Sequence, residues 1–180
     1  MKDKKTVCVI LLAVALASCQ AAEPMIIIKG SDTEVNLVAD FAEVWMQKKP
    51  GTRIAVTGGG SGTGIAALIN NKAAIANSSR PLKKKELESA RARGIVPVPL
   101  VIATDGLSVI VNAKNPLRRL SLPQLDAIFR GEIRNWKELG GDDAPITGYG
   151  RQSNSGTFEF FKDTVLRGRD FSDHINQMNG

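Results

Sequence analysis

The stretch TGGGSGTGIAALI, Thr57 to Ile69, decides how the rest of the chain is read. It sets five glycines, one serine and two threonines directly ahead of an apolar run. Glycine lets other groups approach the backbone closely, and serine or threonine adds a hydroxyl at a helix start. The first N–H groups of a helix lack intrahelical partners and sit at the positive end of its dipole, so such a loop is suited to an anion. The same letters are compatible with a phosphate cradle, a dinucleotide fingerprint or a flexible loop that opens a helix. A Walker A loop requires a lysine before its serine or threonine, and GGGSGTG has none. Gly62-Thr63-Gly64-Ile65-Ala66-Ala67 fits the dinucleotide pattern formally. The acidic residue expected about 20 positions further on is replaced by SSRPL.

Working outward, the order "strand, small polar loop, helix" recurs. IIIK (Ile26 to Lys29) leads into GSDT and then VNLVADFAEVWMQKK, with Val35, Val38, Phe41, Ala42 and Trp45 at helical spacing. Pro50-Gly51 stops that helix. RIAVT (Arg53 to Thr57) alternates as a half-buried strand, and IAALINN carries Ile65, Leu68 and Ile69 on one helical face. AAIAN (Ala73 to Asn77) is a third strand, and KKKELESARARG a surface helix capped by Gly94. IVPVPLVIA is extended and broken by prolines, and LSVIVN (Leu107 to Asn112) begins a new strand. Ser121 and Gln124 form a capping box, IRNWKELGG a turn with a buried Trp136, and PITGYG an approximate strand. RQSNSGT then opens a helix with Phe158, Phe161 and Val165 on one face. Strands alternating with helices predict an α/β fold with a mostly parallel sheet. In such a sheet the loops after the strands converge on one crevice.

At the N-terminus, Lys2, Lys4 and Lys5 precede an apolar run, Val7 to Ala17, too short to span a bilayer. Residues 1–18 read as a signal peptide. Leu16-Ala17-Ser18-Cys19 resembles the bacterial lipoprotein cleavage box, which makes Cys19 the expected lipid attachment point; ordinary cleavage near Ala21 is the alternative. With Cys8 inside the leader, a chain starting at Cys19 has no second cysteine for an internal disulfide. The formal charge of +6 over 180 residues shrinks when the leader takes three lysines and one aspartate with it. The remaining basic residues are spread among acidic ones without interleaved aromatics, which speaks against a nucleic-acid partner. Mild positive charge suits capture of small anions. His174 stands alone without a nucleophile motif, and no His, Cys, Asp or Glu cluster has metal-ligand spacing. Donors are abundant and reactive groups are not, so binding without catalysis, metal or cofactor is expected.

Together, IKGSDT, GGGSGTGI, IANSSRPL, DGLSVIVN, LPQLDAIFRGEIRNW and RQSNSGTF resemble, in order and spacing, the phosphate-binding proteins of bacterial ABC importers. The resemblance implies a periplasmic-binding-protein fold, with two α/β lobes joined by a hinge and closing on an oxyanion. The first lobe is expected over 19–104 and the second over 105–180, with a boundary near Asp105-Gly106. Carried over by position, Ser31, Asp32 and Thr33 belong to the first lobe's loop, and Ser61 donates its hydroxyl and N–H. Arg151, Ser155, Gly156 and Thr157 supply the second lobe's half. The glycines of Thr57 to Ile69 are read as room for the anion. The family further implies a monomeric extracytoplasmic receptor for inorganic phosphate, at the periplasm or cell surface, with a membrane permease as partner and a lipid anchor.

Two departures qualify the expectation. Ser79 stands where well-known members carry an aspartate that accepts the proton of hydrogen phosphate. Asp32 or Asp105 is expected to take over that task, with Asp32 preferred. Arg80 beside it is expected either to contact the anion or to pair with an acid. Receptors for sulfate or molybdate, and an anion-sensing surface protein, are the competing readings. The sequence also stops at QMNG, soon after the Arg151 loop and its helix, so the second lobe and its return to the first are expected to be incomplete, leaving apolar surface on the first lobe.

Overall fold

A computed structural model describes residues 24–179. The central strand β1 (Met25–Gly30) is flanked by β2 (Arg53–Thr57) and β3 (Ile75–Asn77), all parallel, in the order β2-β1-β3. Ile28 faces Val56 on one side and Ile75 on the other. The chain goes out to one edge through helix α1 (Val35–Lys48) and returns across the centre to the other through α2 (Ser61–Ile69). Right-handed crossovers in opposite directions place such helices on opposite faces of the sheet. Reversal of direction at β1 opens the crevice above the strands' carboxyl ends.

Helix α2 starts at Ser61, four residues before the apolar face at Ile65, because Gly60 adopts φ +88° and its carbonyl accepts from the N–H groups of Thr63 and Gly64. Its Ile65 and Ile69 form a core with Ala90 of α3 (Lys84–Ala92), covered by Ala76, Leu82 and Ile95. Gly94, at φ +72°, ends α3 in the left-handed conformation that glycine tolerates. Helix α1 follows its predicted span closely but buries a narrower stripe. Val38 and Ala42 pack inward, while Phe41 and Trp45 remain 53% and 52% exposed.

The second half is built on α4 (Leu122–Phe129), α5 (Gly156–Thr164) and a two-stranded parallel pair, β4 (Gly148–Arg151) with β5 (Ile175–Met178). The capping box is present: Ser121 Oγ accepts from Gln124 N at 3.3 Å, and Gln124 Oε1 accepts from Ser121 N at 2.8 Å. Phe161, Val165 and Leu166 are buried against Leu125, Phe129 and Phe171, with the Phe129 and Phe161 rings 4.6 Å apart. Strand β5 was not anticipated, since INQM lacks an apolar alternation.

Two expectations are corrected. Trp136 is only half-buried, at the start of a 3₁₀ turn over Trp136–Leu139. Leu107 to Asn112 forms no strand, because its backbone pairs with no neighbour in a ladder. The apolar character of that segment nevertheless has a physical counterpart. The segment as a whole lines an apolar cavity with Ile146, Phe158 and Phe161, and within it Leu107, Val109 and Val111 are 41–45% exposed while Ile110 is 89% exposed. No helix among the described residues is long and apolar enough to cross a membrane.

Candidate functional site

Each small polar loop follows a parallel strand, so Ser31, Gly58, Ser78 and Gln152 begin the turns after β1, β2, β3 and β4. Ser31 is buried at 2% exposure, its N–H given to Asn77 O at 3.0 Å across the β1–β3 pair. Its hydroxyl donates to Ser79 Oγ at 3.2 Å. Ser61, fully buried, lies 3.3 Å from the same Ser79 Oγ and accepts from Ser79 N at 3.2 Å. The Ser61 hydroxyl therefore does not cap α2, whose N-cap is Gly60 with no side-chain cap bond. Hydroxyls from three separate strand ends thus meet at Ser79.

The opposing face is the start of α5. Ser155, 2% exposed, caps that helix by accepting from Thr157 N at 3.2 Å. Gly156 is pressed onto the serine cluster: a methyl there would overlap Ser79 Oγ and lie 2.6 Å from Ser61 Oγ. Thr157 Oγ1 approaches Thr33 Oγ1 at 3.4 Å. Arg151 Nη2 donates to Asp32 Oδ2 at 2.9 Å, and Gly59 N donates to Asp32 Oδ1 at 2.7 Å. Asp32 caps no helix, since the N-cap of α1 is Glu34. Ser31, Asp32, Thr33, Ser61, Ser79, Arg151, Ser155, Gly156 and Thr157 therefore fall within one constellation. Asp105 is exposed and accepts from the neighbouring Gly106 N, and among the described residues no hydrogen bond joins it to this cluster. Cys19 lies outside the described residues.

Arg80, beside Ser79, is engaged elsewhere. Arg80 makes a two-pronged pair with Glu86, at 2.8 and 2.7 Å, which resolves its alternatives in favour of pairing with an acid. That hydrogen bond holds the Glu86 carboxyl below its ordinary range, and burial opposes the effect. Glu34 moves the other way: burial raises its carboxyl, partly offset by the Ser78 backbone N–H. His174 is exposed. Among the described residues no three His, Cys, Asp or Glu side chains gather as metal ligands.

Several contacts were not anticipated. Lys83 Nζ reaches Glu159 at 2.8 Å, Gln152 Nε2 reaches Asp32 at 3.5 Å, and Asn154 contacts the glycine loop. These join positions far apart in the chain, and no local pattern announces such pairs. The glycines also need a different reading, because protein groups occupy the room they make. A methyl at Gly58 would overlap Asp32 Oδ1, one at Gly60 would crowd Asn154, and one at Gly64 would overlap the backbone of Lys29.

Parallel strands in the order β2-β1-β3, with donor-bearing loops at their carboxyl ends, make a doubly wound α/β unit, and the chain belongs to the PBP superfamily, whose domain matches residues 17–177. The chain is similar to the phosphate-binding protein PstS of Pseudomonas aeruginosa, 34% identical over 164 residues that cover 84% of this chain and 51% of that protein. PstS of Bacillus subtilis is 34% identical over 158 residues, covering 88% and 51%. The chain spans about half the length of the curated relatives it matches. Among solved structures, a candidate phosphate ABC transporter substrate-binding protein with bound phosphate from Clostridium perfringens superposes with a TM-score of 0.75 at 33% identity, over 87% of this chain and 63% of that one. An ABC-type phosphate transport receptor from Vibrio cholerae gives 0.64 at 32% identity, over 86% and 63%.

Proposed function

We propose that this chain forms the oxyanion-holding part of an extracytoplasmic receptor that captures inorganic phosphate for an ABC permease. The observation that carries the reading is the convergence of the Ser31, Ser61 and Ser79 hydroxyls on the start of α5, with Arg151 alongside. Hydroxyls, helix-start N–H groups and a guanidinium are all donors, so they match a small anion rich in acceptor oxygens. Charge-assisted hydrogen bonds contribute about 1.5–3 kcal/mol each, enough in combination for micromolar affinity after ordering costs. The relatives named for phosphate favour phosphate over sulfate or molybdate. In this reading the Ser79 hydroxyl and the Asp32 carboxylate are the acceptors available to the proton of hydrogen phosphate. The 19–104 and 105–180 lobes close on the anion as a hinge pair, Cys19 carries the lipid, the receptor is monomeric, and no covalent chemistry takes place.

Thermal unfolding of the chain with phosphate, sulfate or molybdate tests this. Phosphate is expected to raise Tm, sulfate much less, and Arg151→Ala to abolish the response. A folded chain whose Tm ignores phosphate, or rises equally with sulfate, overturns the reading.

A further inference from the structure

We propose that Asn154 is a clasp between the two halves of the site, a positioning residue that slows anion release without touching the anion; the proposal rests on the phosphate-receptor reading. Its carbonyl accepts from Gly62 N at 3.0 Å, taking one of the free N–H groups at the start of α2. Its Nδ2 donates both to Gly59 O at 3.0 Å and to Thr63 Oγ1 at 3.1 Å. A single residue of the turn after β4 thereby fastens to Gly59 in the turn after β2 and to Gly62 and Thr63 in the first turn of α2, more than ninety positions away.

The glycine loop is shaped to receive it. Gly60 sits at φ +88°, and a methyl there would lie 2.9 Å from Asn154 O and 3.1 Å from its Oδ1. A methyl at Gly62 would stand 3.4 Å from the same carbonyl. Two of the glycines ahead of the Ile65 face are thus a seat for Asn154. Asn154 itself is exposed, whereas Ser61 and Ser155 on either side of the seam are buried. It therefore closes the rim while the serines form the interior. Its neighbours reinforce the seam: Asp32 with Arg151, Thr33 with Thr157, and Lys83 with Glu159. Among these Asn154 alone ties the start of α2 to the second half. It thus sets how closely Ser61 and Gly156 approach.

A rim clasp acts after encounter, so its loss belongs in the dissociation rate. Asn154→Ala keeps the carbonyl contact and removes both side-chain bonds. Radiolabelled phosphate release is expected to accelerate about tenfold, the effect of losing two neutral hydrogen bonds, with association within about twofold of wild type. Asn154→Asp preserves size but turns the donor into an acceptor facing Gly59 O, so it is expected not to rescue. Hydrogen exchange of residues 58–64 without phosphate gives a ligand-independent readout, expected to quicken in both variants. Unchanged release from Asn154→Ala while wild type binds phosphate overturns the clasp. So does rescue by Asn154→Asp, or a loss confined to ligand-free Tm and association. If wild type binds no phosphate, the receptor reading fails and the role in anion release falls with it; the exchange comparison then decides only whether Asn154 fastens the two halves, faster exchange supporting that contact and unchanged exchange removing it.

Discussion

Arg151 donates from Nη2 to Asp32 Oδ2 at 2.9 Å, although the two residues stand 119 positions apart. The guanidinium and carboxylate are 25% and 18% exposed, enough burial for the pair to escape the weak limit of surface ion pairs. Asp32 uses its second oxygen on Gly59 N, so one side chain fixes the glycine loop and the arginine together.

Asp32→Ala is therefore expected to lower stability even without an anion. It leaves Arg151 and the Gly59 N–H without that partner, and losing charge-assisted bonds costs about 1.5–3 kcal/mol. At roughly 2–4 °C per kcal/mol for a chain of this size, Tm should fall by about 3–12 °C. Differential scanning calorimetry checks this; an unchanged Tm would mean that the pair is energetically idle.

Gly156→Ala tests the crowding at the serine cluster. The added methyl would displace the Ser61 and Ser79 hydroxyls, and it also meets the Ser79 backbone carbon at 3.2 Å. The hydroxyls can rotate while the backbone cannot follow freely, so phosphate affinity should drop at least about tenfold with a smaller loss of Tm, as overpacking costs of about 1–3 kcal/mol suggest. Isothermal titration with phosphate reads the first quantity and thermal unfolding the second.

The strand-loop-helix units of the first half and the capping box of the second were legible because each is local. Ile26 to Lys29, Arg53 to Thr57 and the Ser121-Gln124 cap carry their signals within a few residues, and the structure places elements there. The donor types of the site were legible too, since Ser61 and Ser155 each stand at a helix start. What decides the meaning of the glycines was not. Asp32 at Gly58 and Asn154 at Gly60 come from other loops, and tertiary approach leaves no periodicity to read. Leu107 to Asn112 failed for a related reason: an apolar, β-branched run suits a strand, but a strand also requires a partner edge.

Glu34→Gln should stabilise the chain at neutral pH. Burial raises the Glu34 carboxyl, so the folded state favours its protonated form. The associated stability is complete below the unfolded value of about 4.3 and is lost as pH rises through the higher folded value. Glutamine retains an oxygen for the Ser78 N–H and removes the charge. A Tm gain over wild type at pH 7 that vanishes near pH 4 is expected, and a gain independent of pH would assign the effect to packing instead.

Glu86→Gln should show the opposite pH dependence. The Arg80 hydrogen bond holds the Glu86 carboxyl low, so its stabilisation is present above the unfolded value of about 4.3 and disappears as pH falls through the depressed folded value. Arg80 is 10% exposed on its side chain and Glu86 22%, so removing the charge leaves a largely buried guanidinium with a weaker partner. Glu86 also accepts from Lys83 N at 2.7 Å at the start of α3, and glutamine can keep that contact through its oxygen. The variant should melt a few degrees below wild type at pH 7, and the two curves should converge as pH falls through the depressed folded value. Because Lys83 leads on to Glu159, the same titration should loosen the seam between the two halves. Hydrogen exchange of α5 at pH 3 against pH 7, in wild type and variant, separates that relay from simple loss of the α3 cap: only the relay makes α5 exchange depend on Glu86.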